Sequence, residues 1–371
     1  MRTITVALSQ AYDVEIERGA LARAGAVARR FARGNSPVAL ISSPRVRRHW
    51  GEAAERSLRD AGVLLIALEM RDGERHKNLA SAEALAEGMA AGGADRDSLV
   101  VALGGGVVGD VAAFVAASFM RGVGVMQIPT TLVAMIDSAI GGKTGVNLRA
   151  GKNLFGAFHQ PRAVLVDPEL LRTLPRREYR SGLAEAIKYG VIADRELFEF
   201  AAARATELRR RDAEPLERLI AACAAIKAEV VAADERESDR RRILNFGHTL
   251  GHALERAGDY RRFLHGEAVA WGMIAATRLA ADLRRLERGA AENIEAAVLA
   301  LTAPLPAIEE DATAILAHVA RDKKTRGGVP HFVLPRAIGD VEIVAGIPQE
   351  AVAAALDATI ALSRAPASPP R

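Results

Sequence analysis

The pattern that most restricts the fold is the alternation of short apolar runs with helical stretches through the first half of the chain. Buried strands are predicted at residues 37–42, 62–68 and 98–103, with a helix at residues 81–91 between the last two. Further strands are expected at residues 3–8, 12–17, 124–128 and 163–167. Such alternation is typical of a parallel β-sheet with helices packed on its faces.

The pattern changes after the stretch Thr173-Leu174-Pro175-Arg176-Arg177. Residues 179 to about 320 are nearly all helical in pattern, and a small hairpin is expected at residues 331–334 and 340–344. A chain of 371 residues has room for two domains. The sequence therefore predicts an α/β protein with a Rossmann-like parallel-sheet domain at residues 1–175. An all-helical domain at residues 176–363 follows it, and the Pro-rich end, residues 364–371, is predicted to be a disordered tail.

Composition excludes several classes of protein. The net charge of +4 and the aromatic content of 4% do not favour a nucleic-acid partner. The single cysteine, Cys223, excludes an internal disulfide and an all-cysteine zinc site, so a metal would depend on histidines and carboxylates. The apolar run at residues 99–120 carries several glycines and Asp110, which argues against a membrane helix. No secretory signal is evident, and a cytoplasmic protein without a membrane partner is expected.

A glycine-rich turn follows the strand at residues 98–103. Gly104, Gly106 and Gly109 fit the G-x-G-x-x-G spacing, and a helical run comes next. Glycines let backbone N–H groups approach a pyrophosphate, whose charge the helix N-terminus favours. The acidic residue expected about 20 residues later is not evident, so this is not an ordinary dinucleotide fingerprint. We favour nucleotide binding over a tight turn without a ligand.

The segment at residues 72–77, Asp-Gly-Glu-Arg-His-Lys, follows the strand at residues 62–68. It is therefore predicted to lie at the carboxyl edge of the sheet, where ligands bind in such folds. A carboxylate and a lysine at that edge can hold a ribose or a sugar ring. Taken alone, however, a segment of this composition is more often a solvated loop.

A second glycine-rich stretch covers residues 136–147 and continues to Gly151-Lys152-Asn153. Glycine-rich backbone with Lys143 and Lys152 suits an anion such as phosphate. Gly142-Lys143-Thr144 resembles part of a P-loop, but Asp137 stands where that motif has its first glycine. The alternative is a surface turn with solvated lysines, and we favour anion binding.

The strongest chemical signal is a group of histidines in the second half. His248 and His252 stand four residues apart, on one face of a predicted helix, and His265 follows shortly after. Upstream, Glu185 interrupts an otherwise apolar helical run. Two histidines and a glutamate make a three-ligand zinc site with an open position. The alternative for any single histidine is a satisfied residue on a helix face.

Taken together, these segments resemble the 3-dehydroquinate synthase family, within the sugar-phosphate cyclase group. The matching stretches occur in order between residues 73 and 324 and include Phe119-Met120-Arg121-Gly122, residues 182–190 and 244–253, and Asp322-Lys323-Lys324. Their joint occurrence is far more specific than any one motif. The resemblance implies an NAD-binding α/β domain, a helical metal- and substrate-binding domain, and an active site in the cleft.

The resemblance also implies the roles of individual residues. The metal ligands, for Zn²⁺ or Co²⁺, are Glu185, His248 and His265. The implied NAD contacts are Asp72, Gly73, Glu74, Lys77, Gly105, Gly106, Val107, Val108, Gly109, Asp110, Thr130, Thr131, Lys143, Lys152, Leu170, Leu171, Arg172 and Thr173. The implied substrate contacts are Arg121, Asp137, Asn153, Lys188, Lys227 and one of Lys323 and Lys324. The implied catalytic set is Lys143, Glu237, Arg241, Asn245 and His252, of which Glu237 and His252 match positions implicated in proton transfer.

The sequence departs from some relatives after the strand at residues 37–42. Those relatives carry Asp or Asn near the adenosine ribose, whereas this chain has Ser42-Ser43-Pro44. This chain therefore lacks that carboxylate or amide for a ribose contact, and the serines offer only hydroxyl groups for hydrogen bonds.

The implied reaction converts 3-deoxy-D-arabino-heptulosonate 7-phosphate into 3-dehydroquinate and phosphate, a step of the shikimate pathway. It combines NAD-dependent transient oxidation, phosphate elimination, re-reduction and an intramolecular aldol cyclisation. The implied partners are this sugar-acid phosphate and a second copy of the chain, with Arg121 contributed across a homodimer interface. The alternatives are another sugar-phosphate cyclase and a metal-dependent polyol or glycerol-phosphate dehydrogenase of the same fold.

Overall fold

The computed structural model describes residues 1–237, 240–320 and 330–365. The chain forms two compact units, Met1–Pro175 with Leu216–Glu237, and Arg176–Pro215 with Ser238–Arg371. The first border coincides with the predicted one, but the prediction placed the whole of residues 176–363 in one domain. Residues 216–237 pack with the first unit because side chains there pair with its residues, as Lys227 does with Asp137.

A seven-stranded sheet forms the centre of the first unit. The strands of this unit are β1 (Arg2–Val6), β2 (Tyr12–Ile16), β3 (Val38–Ser42), β4 (Leu65–Glu69), β5 (Leu99–Gly104), β6 (Gly124–Pro129), β7 (Lys143–Leu148), β8 (Gly151–Phe158) and β9 (Ala163–Val166). The strand order of the sheet is β1-β2-β9-β6-β5-β3-β4, and all neighbours are parallel except the antiparallel pair β1 and β2. A separate antiparallel hairpin, β7 with β8, takes up the second glycine-rich stretch, which was not predicted as strands.

Helices cover this sheet and complete the predicted α/β pattern. Strand β5 is buried along its whole length, as expected for a parallel strand packed on both faces. The helix that follows it directly is also largely buried. The helices of this part are α1 (Ala24–Arg29), α2 (Pro44–Val46), α3 (Glu52–Asp60), α4 (Leu79–Ala91) and α5 (Gly106–Ser118).

The second unit is mainly helical, and the predicted hairpin is present in it as β10 (His331–Ala337) paired with β11 (Asp340–Ala345). The second unit is therefore not all-helical, as the predicted domain was, because it contains this hairpin. The remaining helices are α6 (Arg176–Ala193), α7 (Arg195–Ala203), α8 (Ala205–Arg210), α9 (Ala213–Ala233), α10 (His248–Ala257), α11 (His265–Asp282), α12 (Arg288–Thr302), α13 (Ala312–Ala320) and α14 (Gln349–Arg364). Most of α9, from residue 216 onward, belongs to the first unit.

The first residue of the predicted disordered tail is helical. Arg364 is the last residue of α14, and its Nε donates a hydrogen bond to the Ile308 carbonyl at 2.8 Å. Residues 366–371 lie outside the described part of the chain. Among the described residues, no helix combines the length and the apolar character needed to cross a membrane.

Glycines bring α10 and α11 unusually close together. A Cβ atom on Gly272 would lie 2.0 Å from the Gly247 carbonyl oxygen, and one on Gly251 would lie 3.1 Å from the Ala268 carbonyl oxygen. Only residues without a side chain permit backbone contact at this distance. The close approach places the N-terminal turns of the two helices side by side, with His248 opening one and His265 opening the other.

We predict that Gly272→Ala lowers the free energy of unfolding by about 2 kcal/mol, because the added methyl group overpacks the α10–α11 contact. The matched control is Gly289→Ala in α12, where the nearest atom to an added Cβ is 3.9 Å away. That variant is expected to be neutral or slightly stabilised, since alanine favours helix more than glycine does. Thermal unfolding of both variants is the measurement, and equal midpoints would contradict the packing argument.

Candidate functional site

Three predicted metal ligands from three helices of the second unit meet at one point. Glu185 lies in α6 and is completely buried. Its Oε1 atom is 3.5 Å from His248 Nε2 and 3.3 Å from His265 Nε2. The three candidate ligand atoms all lie within 4.8 Å of one another. The sequence predicted these residues as one set, and the structure brings them together.

The hydrogen bonding of this cluster suits a cation. Nδ1 of His248 is 3.1 Å from the Phe246 carbonyl, so Nδ1 carries the proton and Nε2 presents a lone pair. Oε1 of Glu185 is buried without a hydrogen-bond donor, while its Oε2 accepts a hydrogen bond from Lys188 Nζ at 2.5 Å. Lone pairs that converge in a buried place repel one another unless a positive charge lies among them. A divalent metal ion fits this donor set.

The pKa values in the cluster agree with a ligand role. Burial raises the pKa of Glu185, but Lys188 and the two histidines outweigh it and hold that pKa well below its usual range. Burial lowers the pKa of His248 to about 3, so its ring is neutral. Burial also lowers the pKa of His265, but the neighbouring carboxylates of Glu185 and Glu255 raise it to about 10. Without a metal, therefore, a proton on His265 takes the place of the cation.

A second group of predicted residues meets in the first unit. Nζ of the buried Lys77 donates hydrogen bonds to Asp110 Oδ2 and Asn153 Oδ1, each at 2.5 Å. Burial raises the pKa of Asp110, although Lys77 lowers it. Lys77 thus joins the segment at residues 72–77, the start of α5 and the β7–β8 hairpin, which sequence reasoning treated as separate motifs.

Asn147 also links these segments, and sequence reasoning gave it no role. Its Nδ2 donates to Glu74 Oε1 at 2.7 Å, its backbone N–H donates to the Lys77 carbonyl, and its Oδ1 accepts from the Asn153 backbone N–H at 2.9 Å. Asn153 itself has a left-handed backbone, with φ of 54°. The signal in the sequence was the asparagine in the glycine-rich stretch, but its partners are distant along the chain.

The glycine-rich turn after β5 is shaped by close packing. A Cβ on Gly105 would lie 2.8 Å from Thr131 Cγ2, and a Cβ on Gly109 would lie 2.9 Å from Gln127 Oε1. The Thr130 backbone N–H donates to the Gly104 carbonyl at 2.9 Å. Gly106, Val107, Val108 and Gly109 form the first turn of α5. The Gly109 N–H donates to the Gly105 carbonyl at 2.9 Å, and the N–H groups that precede it at the helix start suit an anion. The predicted strand–turn–helix is therefore present.

Two further lysines each contact a carboxylate within the first unit. Lys227 pairs with Asp137, and Lys143 pairs with Glu237. All four were predicted as site residues. Gly141, just before Lys143, donates its backbone N–H to the Tyr12 hydroxyl at 2.9 Å, which holds the loop in place. The fold thus brings residues 216–237 to the glycine-rich stretch, a contact that no sequence spacing predicted.

Several predicted NAD contacts have structural partners. Asp72 Oδ2 accepts from the Arg45 backbone N–H at 3.2 Å, and Thr173 Oγ1 accepts from Trp50 Nε1 at 2.9 Å. Leu170 and Leu171 are buried, so only their backbone groups are available to a ligand, and Arg172 lies on the same short helical turn. The Ser42 hydroxyl donates to the Leu103 carbonyl at 2.8 Å and is buried, so it does not offer that proton to a ribose.

The other predicted residues are distributed as follows. Arg241 is completely buried and Asn245 lies in the same short helical turn before α10. The His252 ring is 5.4 Å from that of His248 and 5.8 Å from that of His265, between ring centres. Arg121 is exposed and lies with Met120 in a left-handed turn. Lys323 and Lys324 lie outside the described residues. Lys152 is half-buried at the start of β8.

Comparison with known proteins identifies the family. Two models match consecutive parts of the chain, 3-dehydroquinate synthase N-terminal at residues 67–181 and 3-dehydroquinate synthase C-terminal at residues 182–325. A curated 3-dehydroquinate synthase from Koribacter versatilis (strain Ellin345) is 52% identical over 349 residues, which cover 94% of this chain and 95% of the relative. The chain belongs to the 3-dehydroquinate synthase family. The resemblance inferred from the motifs is thereby confirmed.

Solved structures of related cyclases confirm the fold class. A 2-epi-5-epi-valiolone synthase from Streptomyces hygroscopicus subsp. jinggangensis 5008, with NAD⁺ and Zn²⁺ bound, has a TM-score of 0.87 and 30% identity. The match covers 95% of this chain and 97% of that one. A 2-deoxy-scyllo-inosose synthase complexed with carbaglucose-6-phosphate, NAD⁺ and Co²⁺ has a TM-score of 0.86 and 25% identity, covering 96% and 98% of the two chains.

We predict that His248→Ala weakens Zn²⁺ binding at least about 100-fold, because it removes a ligand that burial keeps neutral. His318→Ala is the matched control, since His318 lies in α13 and belongs to neither group of candidate metal ligands among the described residues. Competition with a chromophoric chelator measures both affinities. Equal affinities of the two variants would remove His248 from the metal centre.

Proposed function

We propose that this chain is a 3-dehydroquinate synthase, which converts 3-deoxy-D-arabino-heptulosonate 7-phosphate into 3-dehydroquinate and phosphate in the cytoplasm. The observation that carries the proposal is the buried Glu185–His248–His265 cluster in a chain that matches this family over nearly its full length. When bound, NAD⁺ supplies transient oxidation of an alcohol, and one Zn²⁺ or Co²⁺ ion supplies Lewis acidity.

The residues that would hold these groups are those that the family resemblance implies, and the contacts among the described residues support part of the set. Glu185, His248 and His265 would hold the metal ion. For NAD⁺ we assign the residues at the carboxyl edge of the sheet, where the first turn of α5 offers backbone N–H groups to the pyrophosphate. These are Asp72, Gly73, Glu74, Lys77, Gly105, Gly106, Val107, Val108, Gly109, Asp110, Thr130, Thr131, Lys143, Lys152, Leu170, Leu171, Arg172 and Thr173.

We assign the phosphate and the carboxylate of the substrate to basic side chains of this chain. The set is Arg121, Lys143, Lys152, Lys188, Lys227, Arg241 and one of Lys323 and Lys324, with Asp137, Asn153 and Asn245 as polar contacts. Charged donors bind such anions about twice as strongly as neutral ones. Displacement of the carboxylates now paired with Lys143 and Lys227 would let both lysines face the substrate.

Proton transfer is assigned to Glu237 and His252. Both are ionisable groups, and each lies beside a predicted binding residue, Glu237 beside Lys143 and His252 beside His248. Neither has the isolated, buried setting of a dedicated strong base. We therefore propose that the substrate's own phosphate takes the proton during its elimination.

A second candidate is another sugar-phosphate cyclase, which the similarity to valiolone and inosose synthases favours. The 52% identity to a curated 3-dehydroquinate synthase, against 30% and 25% to those two structures, supports the first candidate. A polyol dehydrogenase of the same fold would produce net NADH, whereas a cyclase ends with the cofactor unchanged.

The test is phosphate release from 3-deoxy-D-arabino-heptulosonate 7-phosphate by the full chain. We expect release that needs both NAD⁺ and the metal, stops with a chelator and returns with added Zn²⁺ or Co²⁺. We expect no net NADH absorbance. Absence of release with NAD⁺ and metal present would refute the main proposal, and release from sedoheptulose 7-phosphate or glucose 6-phosphate instead would favour the second candidate.

We also propose a homodimer in which Arg121 reaches the substrate of the partner. The left-handed turn at Met120 and Arg121 projects both residues to the surface, with Met120 46% exposed. Leu154, Phe155 and Phe158 in β8 are likewise exposed. An apolar surface of this kind supports association with a second copy.

Mixing two inactive variants tests the shared site. Arg121→Ala and Lys227→Ala chains are mixed in equal amounts and allowed to exchange subunits. In a symmetric dimer with shared sites, each mixed dimer then has one complete site out of two. Because about half of the dimers are mixed, about a quarter of wild-type activity is expected to return. Each variant alone stays inactive. If Arg121 serves its own subunit, every site in the mixture carries a lesion and no activity returns.

A further inference from the structure

A buried carboxylate outside the proposed catalytic set lies against one metal ligand. Glu255 is near the end of α10 and is only 5% exposed. Its Oε2 atom is 3.4 Å from Nδ1 of His265. The other ring nitrogen of His265, Nε2, faces Glu185 Oε1 at 3.3 Å. One imidazole ring is thus held between a candidate metal centre and a second carboxylate.

The chemistry of imidazole decides which ring nitrogen of His265 carries the proton in this arrangement. A neutral histidine carries its proton on one ring nitrogen and a lone pair on the other. A carboxylate only accepts hydrogen bonds, so Glu255 stabilises the form with the proton on Nδ1. In that form Nε2 offers its lone pair on the side where Glu185 lies.

The two histidines differ in how their rings are held. Nδ1 of His248 faces the Phe246 backbone carbonyl at 3.1 Å, and the side chain is only 11% exposed. The His265 side chain is 39% exposed, so packing constrains its ring less. His265 therefore depends on a side-chain partner for its orientation, whereas His248 has a main-chain partner.

We propose that Glu255 is a positioning residue of the metal centre, whose carboxylate fixes the tautomer and ring orientation of His265. The inference rests on the metal centre of the proposed function and adds to it a residue that touches neither the metal ion nor the substrate. Histidine ligands commonly donate their second ring N–H to a carboxylate in this way, and loss of the partner costs about 10–100-fold in metal affinity.

The competing role for Glu255 is that of a ligand. His252, Glu255 and His265 also offer atoms within 4.8 Å of one another. If Nδ1 of His265 bound a second ion there while Nε2 bound the first, the ring would have to lose both protons. A hydrogen bond to Glu255 needs no such change, which favours positioning.

The experiment measures Zn²⁺ affinity of the full chain by chelator competition, without NAD⁺ or substrate. Glu255→Ala is expected to bind Zn²⁺ about 10–100-fold more weakly than wild type. Glu255→Gln is expected to fall between them, because its amide oxygen still accepts the Nδ1 proton but lacks the charge. Glu295→Gln is the matched control, since Glu295 pairs with Arg278 in the same unit, and its affinity is expected to equal that of wild type. In Co²⁺-loaded samples, the visible absorption bands of Glu255→Ala are expected to shift.

Three results would overturn the proposal. The first is a folded Glu255→Ala variant that binds Zn²⁺ with wild-type affinity, and the second is a wild-type chain that binds no metal. The third is a wild-type chain that binds two metal ions while the Glu255→Ala variant binds one, which would make Glu255 a ligand. Circular dichroism reports folding, and Glu255→Gln carries the test if the alanine variant does not fold. A chain that shows the expected affinities but releases no phosphate supports this inference and contradicts the proposed function alone.

Discussion

The burial of the Glu185 carboxylate is the constraint on which the centre of the second unit depends. A charge without water must be compensated, and here Lys188 compensates one oxygen while the other faces two histidine nitrogens. Such a carboxylate restricts the side chains around it to a few arrangements, because removal of any partner leaves a buried charge that is no longer compensated. The candidate metal centre thus includes a carboxylate of the helical core and is not confined to the surface.

Close backbone packing makes that arrangement possible. Gly272 and Gly251 allow α10 and α11 to approach until the histidines at their first turns become neighbours. Gly105 and Gly109 do the same for the turn between β5 and α5 in the first unit. In both units, these glycines allow neighbouring backbone segments to pack closely. The close packing in turn sets the positions of the polar side chains on those segments.

Three lysines of the candidate site are paired with carboxylates. Lys77 with Asp110, Lys143 with Glu237, and Lys227 with Asp137 all lie within the first unit. Pairing orders these lysines before a ligand binds, which lowers the cost of organising them around an anion. The same pairs link segments that are distant along the chain, so the candidate binding residues also stabilise the fold.

The sequence by itself predicted the strand–helix alternation and the glycine-rich turn, because apolar periodicity and motif spacing are local properties. The candidate ligand set of Glu185, His248 and His265 was implied by the resemblance of its motifs to a known family. Only the tertiary structure decided that residues 216–237 pack with the first unit, that β7 and β8 form a hairpin, and that Asn147 and Glu255 contact site residues. Those features depend on contacts between residues far apart along the chain. Spacing along a single sequence carries no information about such contacts, since they arise when separate helices and strands pack together.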